Sequence, residues 1–382
     1  MIYADNAATT KISDLAFEKM LPFLREQYGN ASSQYSLGMQ ARRAIAQSRR
    51  QVAIAIGAQP SEIVFNSGGS EGDSWVIRGV AVQHSGNPIH IITSCIEHHA
   101  VLKTCHSLEA SGVTVTYLPV DKEGRVSVSD VESALKPNTK LVSVMLANNE
   151  IGTVQPVREI SKLLHQRGIL LHTDAVQAIG HIPLTVSDLD VDFLTASAHK
   201  FYGAKGTGFV YIRSGLNISN LVFGGEQEQG KRAGTENVAG IVALGTALEE
   251  SMAMMDSEIE RNNALVKTTI TELRRCIDGI LINGENSERL PGVLNITFPD
   301  ASGEAMMHLL DLKGICVSTS SACSSGRDEP SHVLLALGLS EQQAKSSVRI
   351  SYGRYNTDED AKEIVSAIYN ANGKITTNKV AR

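Results

Sequence analysis

Short apolar runs alternate with segments of helical period over the first two-thirds of the chain. Strand-like runs fall at 63–65, 90–93, 113–118, 141–146, 169–173, 193–196 and 208–212. Helical stretches are predicted between most of them, near 71–83, 98–110, 128–135 and 156–167. Strands apolar on both faces and spaced by helices describe a doubly wound α/β sheet, whose ligands lie beyond the carboxyl ends of its strands. Two helical segments precede this pattern, 14–26 and 38–56, the second with Arg42, Arg43, Arg49 and Arg50 available to its polar face. Residues 1–10 are too short for an element of their own and read as an arm packed on the body.

The rhythm changes after about residue 237. A long proline-free helical region runs to about 277. A strand (292–298), a helix (303–312), a strand (316–319), a loop, a short helix (332–337), a strand (347–352) and a last helix (358–370) follow. This order predicts a smaller α+β unit, with 374–382 as a polar, fraying tail.

Composition narrows the function classes. The chain has 382 residues, 42% of them hydrophobic and 20% charged, and a formal net charge of −6. No chain-wide basic field is present to recruit nucleic acid or an anionic membrane. No apolar run is expected to reach the roughly 20 residues of a membrane span, and the N-terminus has neither the basic nor the apolar region of a signal peptide. Five scattered cysteines without a C-x-x-C pair argue against disulfides or zinc and for a reducing cytoplasm.

The candidate chemistry gathers at predicted strand ends. Lys200 sits where an apolar strand meets the glycines of 203–208; its head is either solvated or, if buried, a neutral amine able to attack a carbonyl. Gly69 and Ser70 lie in a strand–turn–helix passage that is an ordinary turn or a phosphate seat, with Ser70 the expected N-cap. His98, Asn149, and Asp174 with Gln177 end three other strands, and a buried Asp174 needs a cation or a donor as partner. Arg349 and Ser351 share one face of a strand, where the guanidinium can grip a carboxylate or form a surface ion pair. Thr235 opens the long helix, at an anion seat or a plain cap. Cys323, in a Ser/Gly-rich loop, is a candidate nucleophile.

Taken in order, DNAATT, SGGSE, EHHAV, NNEIG, DAVQ, SAHKFYGAKG, RAGTEN, SSACSSG, EPSHVL and RISYGR resemble the NifS/IscS-type cysteine desulfurases, within the class V aminotransferase group. The resemblance covers essentially the whole chain. It implies an α/β fold of the fold-type-I pyridoxal-phosphate (PLP) transferases, with a large mainly parallel-sheet domain (11–255) and a smaller α+β domain (1–10 plus 256–382) carrying the cysteine loop. It implies that Lys200 carries the cofactor, Asp174 pairs with the ring nitrogen, and His98 stacks on the ring. Asn149 and Gln177 would meet the phenolic oxygen, and Gly69, Ser70, Ser197 and His199 the phosphate. Thr235 would reach the phosphate of the other subunit in a homodimer. Arg349 with Asn149 would hold the carboxylate of L-cysteine, and Cys323 would take its sulfur as a persulfide for a scaffold or carrier protein, leaving alanine.

Several positions depart from the usual pattern: Ser70 for threonine, Ala31 and Tyr35 in the GNPSS-to-His segment, Trp75, Ala204 for proline, Ser320 for glycine, and Glu226, expected as an extra acid near the cofactor mouth. Two rival readings remain at this point. A selenocysteine lyase or cysteine/cystine C–S lyase on the same fold needs no protein thiol. A catalytically silent assembly partner needs no buried lysine, and the Lys200, Asp174 and His98 set argues against it.

Overall fold

The computed structural model describes residues 1–319 and 329–380. Cys323 and Ser320 lie outside the described residues. In chain order the first part comprises β1 (Ile2–Tyr3), α1 (Asp14–Arg25), α2 (Ser36–Ile56), β2 (Ile63–Asn66), α3 (Gly69–Gln83), β3 (His90–Ser94), α4 (His99–Glu109), β4 (Thr114–Leu118), α5 (Val128–Ala134), β5 (Thr139–Ser143), α6 (Val157–His165), β6 (Leu170–Asp174), α7 (Val186–Leu189), β7 (Phe193–Ser197) and β8 (Gly208–Ile212). The second part comprises α8 (Val238–Cys276), β9 (Leu281–Ile282), β10 (Val293–Thr297), α9 (Gly303–Asp311), β11 (Ile315–Cys316), β12 (Ser318–Thr319), α10 (His332–Ala336), α11 (Glu341–Lys345), β13 (Ser347–Ser351) and α12 (Asp358–Val380).

Seven strands form the large sheet in the order β2-β8-β7-β6-β5-β3-β4, with β8 alone antiparallel to its neighbours. Strands β2, β3, β7 and β8 are buried along their whole length, which is why they read as unbroken apolar runs rather than alternating ones. The small sheet, β12-β13-β10-β9, is antiparallel. The predicted strand at 316–319 divides at Val317: β11 pairs with β1 of the arm, and β12 with β13. The arm therefore enters a sheet of its own.

Local chemistry sets the helix ends. The Ser13 hydroxyl accepts from Ala16 N at 3.1 Å to start α1, and Asn237 accepts from Gly240 N at 3.1 Å to start α8. Gly57, with φ 67°, ends α2 in the left-handed conformation glycine adopts without penalty.

Two expectations change. Helix α8 has an 18-residue window with a mean hydropathy of 1.3, long and apolar enough to cross a membrane by length and composition, although the sequence reading finds no such run. Of that window 61% is buried. Ile241, Ala243, Leu244, Ala247 and Leu248 enter the core of the large sheet, while Leu265 and Leu273 enter that of the small one. Its apolarity is that of a core helix serving two cores. The tail also differs, because α12 continues to Val380 instead of stopping near 370. Ile375 packs against the small core and gives the added turns an apolar anchor.

Candidate active site

The carboxyl ends of β2, β3, β5, β6 and β7 converge on one cavity of about 350 Å³. Gly69, Ser70, His98, Asn149, Asp174, Gln177, Ser197, His199, Lys200 and Arg349 all line it. Thr235 does not; it stands exposed on the segment before α8. Glu226 is also elsewhere: it lines a separate pocket with Arg42 and Arg49, and the turn that follows it is pinned by Glu228. Glu228 pairs with Arg49 at 2.6 and 2.7 Å and accepts from Phe65 N at 2.8 Å.

Strand β7 runs into a single 3-10 turn, Ala198–Lys200, so the lysine leaves the sheet edge pointing into the cavity. Its Nζ donates to the carbonyls of Ala7 and Ala8, both at 2.7 Å. The amine is half-buried and cradled by the arm, not held out in solvent. The arm is strapped onto this turn. Thr10 N donates to His199 O at 2.8 Å, Tyr202 N to Thr10 Oγ1 at 2.8 Å, and Ser13 N to Tyr202 O at 2.9 Å. Tyr202 has φ 65°, a conformation that costs a non-glycine residue about 1–3 kcal/mol. Its ring is fully buried, and its hydroxyl accepts from Arg354 N at 2.7 Å, so the surroundings hold it there.

Asp174 ends β6 with its Oδ1 accepting from Val176 N at 2.9 Å. Burial pushes its carboxyl up to about 6, against the pull of that N–H and of Lys200. An acid so placed calls for a cation. His98 caps α4 through Nδ1, which accepts from Ala100 N at 3.1 Å, and that bond assigns the ring proton to Nε2. Burial, followed by Lys200 and by the neighbouring His99 and His332, lowers His98 to about 4, so the ring is neutral. Asn148 makes the turn after β5: its Oδ1 accepts from Glu150 N and Ile151 N at 2.8 and 3.1 Å. That turn delivers Asn149 to the cavity. Gln177 Nε2 donates to Ala7 O at 2.9 Å.

Arg349 is buried, not a surface pairing. It donates to Asp5 Oδ1 at 2.8 Å and to Asn149 O at 3.0 Å, and its Nε is left without a partner. Ser351, two residues on, accepts from Ala7 N at 2.9 Å, which ties the same strand to the arm.

At the other end of the cavity Gly68, with φ 142°, takes the cap position of α3. This corrects the expectation for Ser70, which lies exposed in the first helical turn. A Cβ at Gly68 would come within 3.2 Å of Ser197 Oγ and would sit at a φ that side chains rarely adopt. The free N–H groups of α3 open onto a pocket shared by Gly69, Ser70, Ser197 and His199, suited to an anion. Arg232 and Ser67 hold the first-turn Glu71 low despite its burial, with Arg232 Nε 2.9 Å away, so its charge is drawn off the seat.

Asp5, Ala7 and Ala8 of the arm, Asp73 on α3 and Ser318 on β12 also line the cavity, and the sequence reading did not place them there. Asp73 carried a usable signal: three residues beyond Ser70 on a helix, it shares that face.

The class-V aminotransferase family model matches residues 2–364. A protein named cysteine desulfurase IscS from Dictyoglomus turgidum is 50% identical over 359 residues, 94% of this chain and 91% of that protein. A solved NifS-like protein superposes with a TM-score of 0.91 at 38% identity, covering 97% of this chain and 98% of its own. A solved structure of SspA in complex with cysteine gives a TM-score of 0.83 at 35% identity, over 94% of this chain and 100% of its own. Matched by that family model over nearly its whole length, and by these relatives in sequence and in fold, the chain belongs to the class-V aminotransferase family, as a fold-type-I enzyme of the NifS/IscS cysteine desulfurase type.

Proposed function

We propose that this protein removes sulfur from L-cysteine, with pyridoxal 5′-phosphate held on Lys200, and passes it on through Cys323. The observation that carries the reading is one cavity in which Lys200, Asp174, His98 and Arg349 meet a helix N-terminus. The residues suit the cofactor. A buried acid awaits a ring cation, a neutral imidazole offers a flat face, and a cavity of about 350 Å³ fits a small ring ligand. Gly69, Ser70, Ser197 and His199 would hold the phosphate, and Asn149 and Gln177 the phenolic oxygen. When bound, the cofactor supplies an electron sink for the carbon from which a proton is removed.

The chain's own groups do the rest. Arg349 and Asn149 grip the substrate carboxylate and fix the orientation of Cα. Lys200 Nζ takes the Cα proton, its reach set by the Ala7 and Ala8 carbonyls. The Cys323 thiolate attacks the substrate sulfur: an S–S bond forms, the C–S bond breaks, and its electron pair returns to the carbon that becomes the methyl of alanine. The flanks of the Cys323 segment support this role. Ser318 lines the cavity, and His332 Nε2 donates to Glu97 O at 3.0 Å beside His98.

The partner in this reading is a scaffold or carrier protein that accepts the persulfide sulfur in a cytoplasmic pathway. The working form is a homodimer in which Thr235 reaches the phosphate of the second copy. Exposed Leu15, Phe17, Leu21 and Leu24 on α1 give a second copy an apolar face to cover. Incubation with L-cysteine followed by mass spectrometry is expected to find one extra sulfur on Cys323, and Cys323→Ala to stop alanine release. Alanine formed at an undiminished rate by Cys323→Ala would overturn the persulfide route in favour of a lyase.

A further inference from the structure

The cavity that Asp174 lines holds a second carboxyl, Asp73 on α3, that no step above uses. Its residue is 1% exposed, and its Oδ1 has no hydrogen-bond partner. A basic group, His172 Nε2, is 3.7 Å from that oxygen. His172 is fully buried, with Nδ1 2.8 Å from Ser143 Oγ and Nε2 2.9 Å from Thr195 Oγ1. Two hydroxyls thus satisfy a neutral ring, and burial lowers it to about 3. Among the described residues no ion pair joins Asp73 to a lysine or arginine. A lone carboxylate buried beside a second one costs several kcal/mol, and such a group keeps its proton instead. Burial, and then the charge of Asp174, push Asp73 well above the ordinary carboxyl range, and the Thr195 hydroxyl opposes this only in part.

We propose that Asp73 is a positioning residue for Asp174: a neutral carboxylic acid in the cavity whose O–H points to Asp174 and leaves Asp174 the single anion facing the cofactor's ring nitrogen. The proposal rests on the cofactor reading above. The pair holds two carboxyls, one negative charge and one proton, and that proton stays on Asp73. An acid without a cation is thereby reconciled with a pocket that must offer one full charge at one place. A neutral donor there stabilises the Asp174 anion without competing with it for the ring cation.

The test titrates the full chain, freed of cofactor, with pyridoxal phosphate and with an analogue carrying carbon in place of the ring nitrogen. Asp73→Asn keeps a neutral donor, so its affinity for pyridoxal phosphate is expected within about threefold of wild type. Asp73→Ala removes the donor and is expected to weaken binding on the order of tenfold. With the nitrogen-free analogue the three proteins are expected to bind alike. Infrared spectra of the cofactor-free protein should show a protonated-carboxyl stretch that Asp73→Asn removes, a readout that stands even if the alanine variant does not fold. The proposal is overturned if Asp73→Asn binds as weakly as Asp73→Ala, if the alanine loss persists with the analogue, or if no carboxyl band is lost. A wild-type chain that binds neither compound overturns the cofactor reading as well, whereas normal wild-type binding with any of the first results overturns this proposal alone.

Discussion

Arg349 shows how one side chain can serve two partners at once. Its guanidinium is held by Asp5 and by the Asn149 carbonyl, which use two of its five N–H donors and fix its plane. The remaining donors, including the orphaned Nε, are those a substrate carboxylate can use. A lysine keeps the charge but has no planar fork. Arg349→Lys is therefore expected to raise KM for L-cysteine at least tenfold while leaving the bound cofactor's absorption spectrum unchanged, as steady-state kinetics and a spectrum will show. Asp5 lies 344 positions from Arg349, and no local pattern announces that pair.

Among the elements, α8 joins the two halves and is locked to the strand that carries Arg349. Arg354, just beyond β13, has its Nε 2.6 Å from Glu258 Oε1 and donates to Ser251 Oγ at 3.1 Å, both on α8. Its guanidinium also lies 4.1 Å from the centroid of the Tyr202 ring. Arg354 and Glu258 are both nearly fully buried, so removing one partner strands the other's charge. Arg354→Ala is expected to destabilise the protein by about 3–5 kcal/mol, and adding Glu258→Leu to recover a large part of the loss, measured by denaturant unfolding. The helix itself was legible as a long proline-free stretch. Its dual use was not, because a 3.6-residue period records that a face is buried but not which core it enters. Strands β1 and β9, each two residues long, were missed for a related reason: such a short run carries no period.

At the scale of the whole molecule, buried ionisable groups couple stability to pH. Burial raises Asp174 to about 6, Glu150 to about 7 and Glu97 to about 8. Burial lowers His90, His98 and His199 each to about 4 and His172 to about 3. Below about pH 6.5 the unfolded chain binds more protons at the histidines, and the folded chain more at the acids, so the two sets oppose each other. Above about pH 7.5 the histidines are largely neutral in both states, while Asp73, Glu97 and in part Glu150 still hold protons that the unfolded chain has lost. The slope is then negative, and stability falls as pH rises towards 8. The melting temperature of the cofactor-free protein is expected to decline from pH 7.5 to 8.5, and Glu97→Gln to flatten that decline.

The amino-acid order by itself determined the alternation of strands and helices, the mainly parallel sheet, the polar residues that end its strands, and the family. Each of these is written locally, in runs of apolar residues buried on both faces and in the small and polar residues that stop them. Tertiary structure alone decided what those strand ends meet. It brought the arm's carbonyls to Lys200, Asp5 to Arg349 and Asp73 into the cavity that Asp174 lines, and it left Thr235 and Glu226 outside it. The physical reason is that such contacts arise when packing two sheets and a shared helix closes loops of hundreds of residues, and the cost of closure depends only weakly on loop length. Sequence spacing therefore carries almost no record of which distant groups are joined.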